Sequence, residues 1–358
     1  MKFQVLKLNT FKNHSKAQFR FEEDIVVFHG PNGAGKTNVL DAIYLLCMCR
    51  SYFQHAELAN IQHEQDFYAV FAKVLFDEEQ EVACMVKRGE GKTFRFNKEE
   101  YQRLSDHIGK MPVVMIAPGD IRLINEYSDE RRKFMDQLLS QTDQNYLQEL
   151  IVYGRALEHR NKALKQFNES GYVDHHLLDS LDHQLNKAAT YLYGKRKAFV
   201  AEFSPLFEMH YKELSQAKES TGLVYESDLA DQNMEQLLKA NRSKDLDIGR
   251  TDGGLHKDDL KFTLNGYALK KFGSQGQIKS FLIALKLAQF DFLKVQKGFA
   301  PVLLLDDIFE KLDEQRATQL MARVAGTGYG QIFISDTHPE RVCRIFETLD
   351  KPIQLIAL

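Results

Sequence analysis

A chain of 358 residues with 44% hydrophobic content can bury one large core or two modest ones. With 47 Lys+Arg against 50 Asp+Glu the net charge is −3, which excludes an overall basic nucleic-acid coat and leaves only local basic patches. Cys47, Cys49, Cys84 and Cys343 form no C-x-x-C pair, which argues against zinc and suits a reducing, cytoplasmic setting.

The first residues, Met1–Leu8, alternate like a strand rather than a signal peptide, and no apolar run approaches the ~20 residues of a membrane span. Residues 2–8, 16–22 and 25–29 read as strands. A helix follows from Asn38, with apolar residues at helical spacing through Leu46. Phe67–Phe76, Glu81–Lys87 and Thr93–Phe96 read as an antiparallel meander, and Met111–Ile116 as a short buried strand closed by Ala117-Pro118-Gly119. From about Ser128 to Gln216 the period changes to three and four. Gly171 punctuates this run, and Pro205 is expected to break it or to start a third helix. Strands return at Gly222–Glu226 and Leu260–Leu264, before an Asn265-Gly266 turn. Helix 274–296, strand 301–306, helix 313–325, strand 331–335 and a last strand near Pro352–Leu358 close the chain. The expected fold is an α/β head assembled from both ends of the chain, with an antiparallel meander and an inserted helical arm. The head takes residues 1–125 and 240–358, and the arm residues 126–239.

Between the strand Ile25–Phe28 and the helix at Asn38 lies Gly30-Pro31-Asn32-Gly33-Ala34-Gly35-Lys36-Thr37, which fits the phosphate-loop pattern G-x-x-x-x-G-K-[ST]. Glycines let backbone N–H groups turn inward around a polyphosphate, and the helix N-terminus adds positive potential. Lys36 would reach the β- and γ-phosphates of ATP and Thr37 would ligate Mg²⁺. A second apolar strand, Pro301–Leu305, ends in Asp306 and Asp307. Asp306 could hold Mg²⁺, and Asp307 sits where a base for an attacking water belongs. The alternative is that the two aspartates only cap the next loop.

Asp306-Asp307-Ile308-Phe309-Glu310-Lys311-Leu312-Asp313 resembles the Walker B and D-loop block of ABC-type ATPases. Phe272-Gly273-Ser274-Gln275-Gly276-Gln277 resembles their signature motif, with Ser274, Gly276 and Gln277 aimed at the ATP of a second subunit. His338, after Ile332–Thr337, stands at the place of their switch histidine. The bland readings are a capped helix for the first and a surface histidine for the second. Ile116–Asp120, Ser128–Asp136, Tyr153–Lys162 and Gly253–Asp259 extend the likeness over nearly the whole chain, which resembles the RecF recombination mediators among the SMC-like ABC ATPases. That resemblance implies a weak, DNA-stimulated ATPase whose ATP-dependent homodimer closes on gapped or junction DNA and works with RecR and RecO to load RecA. Four departures stand out. Gly254-Leu255-His256-Lys257-Asp258-Asp259 replaces Gly-Pro-His-Arg-Asp-Asp. No Q-loop glutamine is evident near Ile116–Asp120. The second Walker B acid is aspartate, and Glu310 replaces a serine. Candidate DNA contacts are the clusters Arg131, Arg132, Lys133 and Arg155, Arg160, Lys162, Lys165, with Lys195–Lys197 as a third; each is equally a solvated helix face. The rival readings are a transporter nucleotide-binding subunit, an SMC-like defence ATPase and a small-molecule P-loop kinase.

Overall fold

Alternation along Lys2–Phe11 (β1) buries Phe3, Leu6 and Leu8 and exposes Lys7 and Asn9, with a register irregularity between Phe3 and Val5 that keeps Phe3 and Leu6 on one face. The protein is seen here as a computed structural model that describes residues 1–215, 219–308, 314–326 and 328–358. β1 pairs on one side with His14–Arg20 (β2) and on the other with Phe67–Leu75 (β4). Glu79–Lys87 (β5), Gly91–Phe96 (β6) and Glu99–Glu100 (β7) continue one antiparallel sheet in the order β2-β1-β4-β5-β6-β7. The expected meander is therefore part of the same sheet as the first hairpin.

Ile25–His29 (β3), Val113–Ile116 (β8), Val302–Asp306 (β12), Ile332–Asp336 (β13) and Gln354–Ala357 (β14) form a parallel sheet in the order β14-β3-β13-β12-β8. β12 and β13 are buried along their whole length, as continuous apolar runs in a two-sided sheet require. Lys36–Met48 (α1) packs on strands of both sheets, which explains why it is apolar nearly all round. Glu314–Val324 (α9) and Pro339–Thr348 (α10) follow β12 and β13. α10 was not anticipated, although Pro339 at its first turn is a start signal.

The chain divides into two compact units: Met1–Asp120 with Leu282–Leu358, and Ile121–Phe281. The second holds Arg122–Asn125 (α2), Ser128–Thr142 (α3), Gln144–Ser170 (α4), His175–Ser215 (α5), Met234–Ile248 (α6) and Leu269–Phe272 (α7). A three-stranded sheet of Thr221–Glu226 (β9), Asp259–Leu264 (β10) and Tyr267–Ala268 (β11) belongs to it as well. Residues 240–281, read from the sequence with the ATPase part, thus lie in this second unit. Gln275–Lys297 (α8) begins there and continues into the first.

Pro205 neither breaks nor starts a helix; it lies inside α5. An interior proline costs about 3 kcal/mol. Phe199, Phe203, Phe207 and Tyr211 recur every fourth residue around it and are all buried, which outweighs that cost. α3 and α4 are separate because Asp143 caps α4, accepting from the Tyr146 N–H at 3.1 Å. No helix among the described residues is long and apolar enough to cross a membrane.

Candidate nucleotide site

The carboxyl ends of β3, β12 and β13 share one edge of the parallel sheet, because their registers align His29 with Asp336 and Asp306 with Ser335. The phosphate loop leaves β3 with positive φ at Gly30 (150°), Gly33 (84°) and Gly35 (105°). Side chains are excluded at two of these. A Cβ on Gly30 would lie 2.5 Å from the Leu358 carbonyl oxygen, and one on Gly35 2.5 Å from His14 Nε2. Lys36 is buried, and its Nζ donates to the loop's own carbonyls, Gly30 O at 2.9 Å and Pro31 O at 3.0 Å. The ammonium thus sits inside the turn that Pro31, Asn32, Gly33 and Ala34 complete.

Asp306 Oδ1 accepts from Thr37 Oγ1 and from Ser335 Oγ, each at 2.8 Å. Burial lifts its pKa above the usual carboxylate range, and the Ser335 and Thr37 hydrogen bonds offset part of that. A buried carboxylate and a hydroxyl side by side are hard oxygen donors suited to Mg²⁺, whose remaining positions nucleotide oxygens and water would fill. Among the described residues no cluster of three or more His, Cys, Asp or Glu could hold a metal without such help. Asp307 has left-handed backbone (φ 43°), with its N–H donating to Ser335 Oγ at 3.0 Å, so one hydroxyl fixes both acids of the strand end. His338 is exposed at the end of β13; its N–H donates to Asp336 Oδ1 at 2.7 Å, and its ring Nδ1 lies 2.8 Å from Thr337 Oγ1. Phe309–Asp313, the expected D-loop, lies outside the described residues.

Sequence reasoning missed the turn between β1 and β2. Asn13 Nδ2 donates to Gly33 O at 3.1 Å, His14 Nε2–H to Gly35 O at 3.1 Å, and Asn38 Nδ2 to Asn13 Oδ1 at 2.8 Å. Burial pushes His14 below its usual range, against the bond to Gly35. Nothing local in Lys12-Asn13-His14 signals a phosphate-loop clamp; only the fold brings it there. Lys12 in turn pairs with buried Asp41 on α1, which also accepts from Ser51 Oγ and the Tyr52 N–H, both at 2.6 Å. Tyr52 bonds Asp120, and Lys286 on α8 reaches Asp120 at 3.1 Å and Met115 O at 2.9 Å. A polar chain therefore links α1, the segment after β8 and α8.

In the second unit Ser274 and Gln277 cap α8 reciprocally: Ser274 N–H donates to Gln277 Oε1 at 2.7 Å, and Gln277 N–H to Ser274 Oγ at 3.3 Å. Gln277 also donates to Glu219 at 2.6 Å, while Gly276 is half-buried beside them.

The candidate DNA contacts need correction. Arg160 is fully buried and holds Asp182 at 2.6 Å, Asp245 at 2.7 Å and Thr251 at 2.8 Å, so it cannot touch DNA. Its helical spacing put it in a charge run, but it faces inward. Arg196 is buried likewise, on Asp136 and Asp258. Arg131 grips Asp259 through two bonds, at 2.6 and 3.0 Å. Arg132 donates to Ser128 Oγ and Asp258 O, and burial lowers its pKa. Lys133 and Lys162 are exposed, each 2.6 Å from a glutamate of its own helix, and Arg155 is exposed.

The RecF/RecN/SMC N terminal domain family model matches residues 2–354. A protein of Flavobacterium johnsoniae named DNA replication and repair protein RecF is 44% identical over 359 residues, covering all of both chains. One of Porphyromonas gingivalis with the same name is 40% identical over 362 residues, 100% of this chain and 98% of its own. Among solved structures, the recombination mediator protein RecF-ATP in the RecFOR pathway matches at 27% identity and TM-score 0.87, covering 94% of this chain and 92% of that one. An Smc head bound to the C-winged helix domain of ScpA matches at 15% identity and TM-score 0.55, covering 96% and 91%, which speaks to the ABC-type head fold alone.

Proposed function

Since the chain belongs to the RecF family of SMC-like ABC ATPases, we propose that it is an ATP-dependent DNA-binding protein of replication and recombinational repair. The observation that carries this reading is the meeting of Lys36, Thr37, Asp306 and Ser335 at one sheet edge. In this reading Lys36 neutralises the terminal phosphates of ATP, and Thr37 and Asp306 hold Mg²⁺. Mg²⁺ held there would supply positive charge to offset the negative charge that develops on the phosphate oxygens. Asp307 orients or deprotonates the attacking water, and His338, at the end of β13, acts as the switch residue. Asp307 has a shorter reach than glutamate, and this favours slow turnover, stimulated by DNA.

The head is Met1–Asp120 with Leu282–Leu358, and the other unit is the arm that carries the signature segment. Ser274, Gly276 and Gln277 act on the nucleotide of a second copy, so ATP closes a homodimer on gapped or junction DNA in the cytoplasm. A nucleotide on one phosphate loop leaves its γ-phosphate open to a second helix N-terminus, which neutralises it. RecR, RecO and RecA are the partners this reading names; a membrane subunit is not among them.

Sedimentation with ATP and Mg²⁺, with and without gapped DNA, tests the reading. The wild-type chain should dimerise with ATP, and Ser274→Arg should keep ATP binding but remain monomeric. A Ser274→Arg chain that dimerises normally contradicts the trans role. DNA affinity that is indifferent to both ATP and salt would overturn the DNA-clamp reading and favour the transporter subunit.

A further inference from the structure

We propose that Tyr127, Tyr267 and Phe272, with Lys270 and Lys271, form a stacking platform for single-stranded DNA on the second unit; this rests on the DNA-binding reading above. The three rings are 82%, 64% and 70% exposed, the most open aromatic group in the unit besides Tyr172. Folding would normally hide such rings, yet they are held in place rather than left loose. The Asn265-Gly266 turn, with positive φ at both residues, closes the β10–β11 hairpin and presents Tyr267. Leu269 is fully buried and anchors α7, so Lys270, Lys271 and Phe272 face outward. Tyr267 and Phe272 meet edge to face, centroids 5.6 Å apart, and Lys270 Nζ lies 5.7 Å from the centre of the Tyr127 ring.

Charge selects the occupant. Neither Lys270 nor Lys271 is paired with a carboxylate among the described residues. The acids that follow Tyr127, Asp129 and Glu130, are engaged by Lys133. Open π-faces with unpaired ammonium groups between them match a ligand that offers flat bases and phosphates together. A single strand does so, whereas a duplex hides its base faces in the stack. The patch also supplies what the helix charge runs do not, since Arg131, Arg132 and Arg160 are committed within the fold.

The chain has no tryptophan, so Tyr267→Trp gives a lone indole reporter within the patch. Its fluorescence is followed on adding ATP and Mg²⁺, then oligo-dT, or a duplex of equal length in a parallel sample. A gapped-DNA anisotropy titration is run beside it. Oligo-dT should quench the indole and the duplex should not. Tyr127→Ala with Tyr267→Ala should weaken oligo-dT binding about tenfold or more, because each stacked base contributes about that much. Duplex affinity and melting temperature should stay unchanged. An indole response complete with ATP and Mg²⁺ alone would assign the patch to a contact between copies and overturn the proposal. No quenching by oligo-dT while gapped DNA still binds would also overturn it, leaving the broader reading intact. Failure to bind any DNA would sink both.

Discussion

The Asp306 corner of the first unit and the interior of the helical unit treat a buried carboxylate in opposite ways, while Asp41 elsewhere in the first unit pairs with Lys12. In the unit built on the parallel sheet, Asp306 is bonded to two hydroxyls, Thr37 and Ser335, and its pKa is raised. In the helical unit, buried carboxylates meet guanidinium groups directly: Asp182 and Asp245 on Arg160, Asp258 on Arg196. A carboxylate given only neutral donors retains its demand for a cation, and a metal–phosphate complex can meet it. A carboxylate matched to arginine is already satisfied and serves the fold. Burial alone therefore says nothing about function; the missing counter-charge does.

The largest effect should come from breaking the satisfied side of the comparison. Arg160→Met leaves Asp245 without a guanidinium and Asp182 with only that of Arg242, 2.7 Å away, and should cost about 3–5 kcal/mol in urea unfolding. DNA affinity of the folded fraction should not change. A stability loss below about 0.5 kcal/mol would show that the cluster is not structural. On the other side, Lys36→Met should reverse the pattern. ATP hydrolysis should fall by about 10²-fold or more, as for loss of one key transition-state donor, with little change in unfolding. Unchanged ATP affinity and turnover would remove Lys36 from the site.

The same contrast explains what the sequence made legible. The phosphate loop and the strand ending in Asp306 are local codes: contiguous residues whose types and order follow from backbone geometry, so Gly30–Thr37 and Asp306 could be read directly. The α6 start was equally local, since Asn233 and Gln236 form a capping box, yet it went unread among polar neighbours. The Arg131–Lys162 charge runs are a different kind of signal. Period alone does not say which face of α4 turns inward, and Arg160 lies among inward-facing Tyr153, Ala156 and Ala163. The Asn13–His14 clamp and the Asp41–Tyr52–Asp120–Lys286 chain depend on residues far apart in sequence. Only the assembled sheet defines them.

Two buried histidines, one in each unit, give an effect of intermediate size. His107 Nε2–H donates to Leu46 O at 2.8 Å, and Nδ1 faces Tyr101 OH at 3.3 Å. His256 Nε2–H donates to Thr251 O at 3.2 Å, and Nδ1 faces Tyr153 OH at 3.0 Å. Burial lowers both to about 4. Unfolded chains protonate these rings near 6.5, so the stability tied to the neutral form is complete above that pH and lost as pH falls towards 4. Each should cost roughly 1–2 kcal/mol between pH 7 and pH 5. In the helical unit Asp258, whose pKa is raised by burial, works the other way and returns part of the loss. His107→Gln and His256→Gln should each flatten the pH dependence of unfolding between pH 7 and pH 5, and by about the same amount, because burial lowers both rings alike. A variant whose pH dependence matches the wild type would mean that the ring it lacks is not held neutral by the fold.

The smallest effect concerns Arg155, which is exposed on α4. Arg155→Ala should leave stability within about 0.5 kcal/mol, as for most surface changes away from a cap or core. A salt series decides whether it meets DNA. An arginine that neutralises one DNA phosphate releases a counterion, so its removal should weaken binding about equally for every sequence and lower the salt slope by about 1. Lys162, two residues beyond the buried Arg160 and on the opposite side of the helix, is already 2.6 Å from Glu158. It must give up that pair to reach a phosphate, so Lys162→Ala should change the slope less than Arg155→Ala. If Arg155→Ala and Lys162→Ala both leave affinity and slope unchanged, α4 carries no phosphate contact at either residue. The charge run there is then wholly what it is at Arg160, a feature of the fold.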